Sequence, residues 1–189
     1  MKHEVNSQNT KQMLCDALIQ LSAKKPFSKI TVSEIVTLCD VNRKTFYYHF
    51  ADVYDLLEWH LNNEIQHAIS LFDSNYDLDA TINFAVEYMN QHTYLQKFIQ
   101  DPLARQKVTQ LLNKSLFPKL QEIIQSIETM QKKTIDSDFK DFIIKNLTHI
   151  TVLSILDAIE NPDNYDIEKM KLYVSTVFDM SVSGLFLKN

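Results

Sequence analysis

Apolar residues recur at helical spacing along most of this chain. Leu14, Ala17, Leu18 and Leu21 share one face of a helix expected over residues 10–24, entered from a cap at Ser7 or Asn9 and ended before Pro26. Phe27 and Ile30 then fall in a connector that packs beneath the helices. Thr31-Val-Ser-Glu34 has the form of a capping box, in which the threonine hydroxyl accepts from the Glu34 amide and the glutamate reaches back, so a second helix starts here. Its core face is Val32, Ile35, Val36 and Cys39. After the break at Asp40-Val41, Asn42 is suited to cap a short third helix, Arg43–His49, which Phe50 closes.

Asp52 opens a fourth helix with the stripe Leu57, Leu61, Ile65, Ala68, Ile69 and Phe72. Beyond the polar break at residues 73–77, helices are expected at 78–92, 93–101, 103–131, 137–160 and 166–187, with Pro118 kinking or splitting the third of these. Asn161-Pro-Asp-Asn164 forms a turn between the last two. Those two carry apolar residues on more than one face: Ile150, Val152, Leu153, Ile155, Leu156 and Ile159 in one, and Leu172, Val174, Val177, Phe178, Val182, Leu185 and Phe186 in the other. A helix on a single core needs one stripe, so the surplus favours a homodimer built from these two helices of each subunit over deep burial within one subunit. The fold class is therefore all-α, about nine helices.

Composition narrows the function classes. The 189 residues include one glycine and four prolines. With Gly184 alone, no glycine-rich phosphate-cradling loop can form, which excludes Rossmann and P-loop fingerprints. Cys15 and Cys39 sit on apolar helix positions without metal-ligand spacing and read as buried small hydrophobes, so neither metal nor cofactor is implied. No uninterrupted apolar run reaches spanning length and the N-terminus lacks a signal-peptide core, so the expected location is cytoplasmic, with no membrane partner. Net charge is −5, but residues 1–50 carry seven Lys/Arg against four acids, a balance of +3, and the remainder carries −8. A basic end on an acidic body suits a protein that meets phosphate at one place.

Residues 31–50, TVSEIVTLCDVNRKTFYYHF, join a capped helix, a tight turn and a second helix in which Arg43, Lys44, Thr45, Tyr48 and His49 alternate with aromatic anchors. That is the pattern of a helix-turn-helix, with the second helix in the major groove of double-stranded DNA. Phe46 and Phe50, four apart, share an inward face and free the opposite one. Hydroxyl and imidazole groups near helix ends suit phosphate oxygens, whereas Arg43 can pair bidentately with guanine.

The run Val41-Asn-Arg-Lys-Thr-Phe-Tyr-Tyr-His-Phe50, followed by Ala51-Asp-Val-Tyr-Asp-Leu-Leu57 and preceded by Thr31-Val-Ser-Glu-Ile35, resembles the TetR-family signature over about the first 60 residues. The KPF-SKITVSEI form and FYYHF ending are similar to a branch that includes regulators of dihydroxyacetone kinase operons. The resemblance implies a DNA-binding domain at residues 1–50, a ligand-binding and dimerisation domain at 51–189, and a ligand-responsive repressor that binds a palindromic operator as a homodimer. It implies phosphate contacts from Thr31, Asn42, Thr45, Tyr47 and His49, and base-edge contacts from Arg43, Lys44 and Tyr48. A small-molecule effector cavity would be lined by Trp59, Phe84, Tyr88, Met89, Phe98 and His149, each equally accounted for by core packing. Two positions depart from the pattern: Asp40 stands in the turn where the family has glycine, and Val53 where it often has a phosphate-contacting lysine. Asp tolerates the left-handed conformation better than most residues, and Lys2 in an N-terminal arm would compensate for the lost cation.

The sequence admits two rival readings. His60, Glu64 and His67 line one face of the fourth helix and spell the Glu-x-x-His of di-iron carboxylate enzymes, but no second copy exists. An activator or coactivator acting with a paralogue would be expected to lose the cations and hydroxyls of the third helix, whereas Arg43, Lys44 and Thr45 remain.

Overall fold

A computed structural model of the chain describes residues 2–71, 87–88, 91–161 and 166–187. Among them all regular structure is helical: α1 (Lys2–Ser22), a 3-10 turn (Phe27–Lys29), α2 (Val32–Leu38), α3 (Arg43–His49), α4 (Val53–Leu71), α5 (Tyr94–Ile99), α6 (Pro102–Gln131), α7 (Ser137–Glu160) and α8 (Ile167–Leu187). The helix expected at 78–92 falls mostly outside the described residues. Helix α1 begins well before the expected Ser7 or Asn9 cap, because Val5 is the lone apolar residue among residues 2–9 and makes no stripe by which periodicity could place them.

Contacts divide the chain into two compact units, residues 1–67 with 92–108, and 68–91 with 109–189. In the first, α1 packs on α2 and α5, and α2 on α3. The core is Leu14, Leu18, Ile35, Phe46, Leu56, Leu57 and Phe98, all fully enclosed, with Phe27 edge-on to both Tyr54 and Phe98 at 5.1 and 5.3 Å. Packing therefore carries this unit past residue 50, since Leu56, Leu57 and Leu61 of α4 and Phe98 of α5 complete its core.

Helix ends in this unit are satisfied locally. Asp52 Oδ1 accepts from the Asp55 amide at 2.8 Å while Asp55 Oδ2 accepts from the Ala51 amide at 2.8 Å, a reciprocal cap that starts α4. Asp101 Oδ1 accepts from the amides of Leu103 and Ala104 at 3.1 and 2.9 Å, with Pro102 at the first helical position, where its missing N–H costs nothing. Lys97 donates to the Ala23 carbonyl at 2.8 Å, just past the C-terminus of α1.

The second unit is built on α7 against α8, with Leu120, Ile124, Ile135, Ile144 and Leu147 as its core. Helix α6 runs through Pro118 unsplit; the proline is exposed, so water can satisfy the carbonyl one turn back that its missing N–H leaves free. The helix ends with Lys132 at φ 53°, its neighbour's amide, Lys133 N–H, reaching the Glu128 carbonyl at 3.2 Å. The lone glycine serves no turn: Gly184 lies inside α8, with nothing within 4 Å of where a Cβ would stand.

One apolar helix exceeds the expectation drawn from uninterrupted runs. α7 is long and apolar enough by length and hydropathy to cross a membrane, yet Ile144, Leu147, Val152, Ile155, Leu156 and Ile159 are buried within the unit, as befits a core helix.

Candidate nucleic-acid interface

The outward face of α3 is assembled by three local devices. Thr31 caps α2: its Oγ1 accepts from the Glu34 amide at 3.4 Å, and Glu34 Oε2 accepts from the Thr31 amide at 3.0 Å and hydroxyl at 2.8 Å. Lys25 adds a pair of short bonds to the same carboxylate, 2.5 and 2.6 Å, and donates to the Lys29 carbonyl at 2.6 Å, tying the connector to the start of α2. Hydrogen bonds from Lys25 and Thr31 hold the Glu34 carboxyl down at about 2, so it stays ionised under all ordinary conditions.

The second device is the turn. Asp40 adopts φ 53°, the Val41 amide reaches back to the Val36 carbonyl at 3.0 Å and the Asp40 amide to the Thr37 carbonyl at 3.3 Å. This is a Schellman closure with aspartate in the left-handed position that glycine usually takes. The third is Asn42, whose Oδ1 accepts from the Thr45 amide at 2.9 Å and from its hydroxyl at 3.2 Å, starting α3 at Arg43.

With α3 so placed, Phe46 is fully buried, Phe50 nearly so, and the two rings lie 5.9 Å apart. The opposite face is open. Arg43 and Lys44 are exposed, Tyr47 is more than half exposed and Tyr48 is 82% exposed, with its ring edge-on to His49 at 4.9 Å. The exposed Tyr48 ring lies on the same short helix as the Arg43 and Lys44 cations. His49, at the C-terminal turn, is half-buried; desolvation and the nearby Lys11 push its imidazole below its ordinary value. Thr31 and Asn42 are exposed and Thr45 half-buried, so all eight expected contact residues lie on α3 or at the caps around it. Val53 is buried in the core at the start of α4 and offers no cation.

The expected cavity-lining residues are distributed over both units. Phe98 is enclosed in the first unit between Phe27 and Tyr94, and Trp59 lies edge-on to Phe50 at 5.9 Å. His149 is exposed on α7, its Nδ1 bonded to the Lys145 carbonyl at 2.7 Å, and Tyr88 is half-buried. Phe84 and Met89 lie outside the described residues. Among the described residues no group of His, Cys, Asp or Glu could hold a metal ion. The face that carries His60, Glu64 and His67 is instead split: His60 is buried with Nε2 3.0 Å from the Tyr94 hydroxyl, Glu64 Oε2 lies 3.6 Å from His92 Nε2, and His67 is exposed.

Sequence reasoning missed two arrangements. One is this His60–Tyr94 and Glu64–His92 network; the other is Lys11, whose Nζ stands over the Phe50 and Trp59 rings at 5.8 and 5.4 Å. Both join residues far apart in sequence, where periodicity carries no signal.

Residues 14–58 match the family model of bacterial regulatory proteins, tetR family. No curated protein sequence gives a significant match. Among solved structures, a TetR-family transcriptional regulator from Syntrophomonas wolfei str. Goettingen is similar, with TM-score 0.68 and 18% identity, over 96% of this chain and 99% of that one. A TetR transcriptional regulator from Streptococcus agalactiae 2603V aligns with TM-score 0.63 and 20% identity, over 94% and 98%. The dihydroxyacetone kinase operon activator DhaS aligns with TM-score 0.63 and 16% identity, over 93% and 96%.

Proposed function

We propose that this chain, a TetR-family DNA-binding region joined to a helical body of TetR-like fold, is a ligand-responsive repressor that grips a palindromic operator as a homodimer. The observation that carries this reading is the two-sided character of α3: phenylalanines locked inward, and Arg43, Lys44, Tyr47 and Tyr48 bare on the outer side. Arg43, Lys44 and Tyr48 meet base edges in the major groove, and Thr31, Asn42, Thr45, Tyr47 and His49 meet phosphates. Residues 1–50 form the reading head and 51–189 the ligand-binding and dimerising body. The protein acts in the cytoplasm and without catalysis.

A second copy of the chain covers the open face of the last two helices. Val152, Ile155, Leu156 and Ile159 of α7 and Met170 and Val174 of α8 are used inside the subunit, but Leu153 is 51%, Leu172 61% and Met180 70% exposed, with Ile150, Tyr173 and Val177 beside them. These residues form a second apolar surface that a monomer would leave in water. The effector favours the arrangement in which the two reading heads are splayed, and repression ends through that difference in affinity.

Nuclease footprinting of purified protein on the DNA flanking its own gene tests the proposal. The expected result is protection of one palindrome whose half-sites lie about 34 Å apart or a multiple of that; uniform, sequence-independent protection would refute it. A reporter downstream of that palindrome decides the direction, since the operon activator of the same fold gives activation a specific precedent.

A further inference from the structure

From the aromatic platform behind α3, we infer that Lys11 of α1 and His49 of α3 form a two-pronged clamp on one backbone phosphate of the bound DNA. The inference rests on the DNA-binding reading above and adds a contact to it from a helix outside the helix-turn-helix.

Phe50 closes α3 and is nearly buried, and Trp59 on α4 lies edge-on to it at 5.9 Å. Lys11 Nζ stands over both rings, 5.8 Å from the Phe50 centroid and 5.4 Å from that of Trp59, so its ammonium is drawn to the platform by the negative ring faces. The His49 ring lies 6.3 Å from the same Phe50 ring. A side chain of α1 and one of α3 thus flank a single aromatic group. Among the described residues no carboxylate lies within ion-pair distance of Lys11. Lys25, by contrast, is held by Glu34, Lys107 by Glu58 and Lys140 by Glu128.

Lys11 also acts on its neighbour. Burial first, and then its charge, disfavour the imidazolium form of His49. Two nitrogen donors, one a cation seated over the aromatic rings, with no carboxylate in ion-pair distance of it, form a site that an anion relieves. A phosphate oxygen there accepts from Lys11, offsets the repulsion and favours protonated His49. The platform limits how much side-chain freedom Lys11 loses on binding.

Salt-dependent DNA affinity of the wild type, Lys11→Met and Lys11→Arg provides the test, with selected palindromic duplex and with random duplex. Methionine keeps an apolar stem against the rings and removes the charge; arginine keeps both. The expected result is that Lys11→Met lowers the slope of log K against log salt by about 0.9 per half-site, equally on both duplexes, while Lys11→Arg retains it. The His49 imidazole, followed by NMR, should titrate below its ordinary 6.5 in the free protein, higher in Lys11→Met, and higher in the wild type once DNA is bound. A lower melting temperature for Lys11→Met with an unchanged salt slope would show that Lys11 only packs, and would overturn the clamp while leaving the DNA reading intact. Failure of the wild type to bind either duplex would overturn both.

Discussion

At the scale of single residues, the account turns on what each side chain of the α3 region can offer. His49 is half-buried at the end of the helix, next to the Phe50 ring; with the phosphate contact proposed for it, His49→Ala should weaken binding to all duplexes alike, and a competition assay with selected and random DNA checks that the ratio is preserved. Asp40 makes a separate, backbone prediction. Its φ of 53° is tolerated by aspartate and unrestricted for glycine, so Asp40→Ala should cost about 1 kcal/mol in chemical denaturation whereas Asp40→Gly should cost nothing. Equal losses from both would mean that the aspartate side chain, not the backbone, holds the turn. Much at this scale was legible in the sequence, because a cap or turn acts within a few residues: Thr31 with Glu34 and Asn42 as the cap of α3 read directly, and the left-handed Asp40 followed from the family resemblance, which puts glycine there. Lys11 over Phe50 and Trp59 was not, since three helices have to fold before it exists.

At the scale of elements, short helices depend on their ends. α2 and α3 have seven residues each, too few to be stable alone, and their caps and packing supply what length does not. Thr31→Ala should therefore cost about 1 kcal/mol by thermal or denaturant unfolding. The joint between α4 and α5 contributes a pH dependence. His60 is buried against the Tyr94 hydroxyl, and desolvation lowers its imidazole below 6.5 despite the opposing charges of Glu64 and Asp16. Because the unfolded chain then binds the proton more readily, stability should be full above about pH 6.5 and fall as the pH drops below it. Denaturation midpoints between pH 7.5 and 5.5 should show this fall, and a shallower one in His60→Gln; identical slopes would remove His60 as its source. Periodicity located α2, α7 and α8 closely, since each has buried apolar positions, the Asn42 cap and Phe50 located α3, and periodicity failed at the start of α1, where mostly polar residues give no stripe to see. Pro118 was expected to interrupt α6, but an exposed proline in a long helix leaves its unpaired carbonyl to water.

At the scale of the whole molecule, the sequence showed that the last two helices carry too many apolar residues for one core, and the structure divides them into buried and bare. Val152, Ile155, Leu156 and Val174 are buried within the subunit, while Leu153, Leu172 and Met180 are left exposed, available to the second copy proposed above. Leu153→Asp should leave the helical content intact and convert a dimer to a monomer in sedimentation equilibrium, with loss of operator affinity because two linked half-sites become one. A monomeric wild type would remove the proposed interface. The effector site was the least legible part: Trp59 and Phe98 are rings of the kind that line cavities and fill cores alike, and packing in the first unit claims both.

The central claim is that the bare side of α3 reads bases. Sequencing of duplexes selected from a random pool by the wild type and by Arg43→Ala measures it most directly. The account predicts that the wild type enriches a palindrome and that Arg43→Ala loses the preference at one position in each half-site, worth about 1–3 kcal/mol, while keeping the rest. No enrichment by the wild type, or the same sequence preference at every position from the variant, would contradict it.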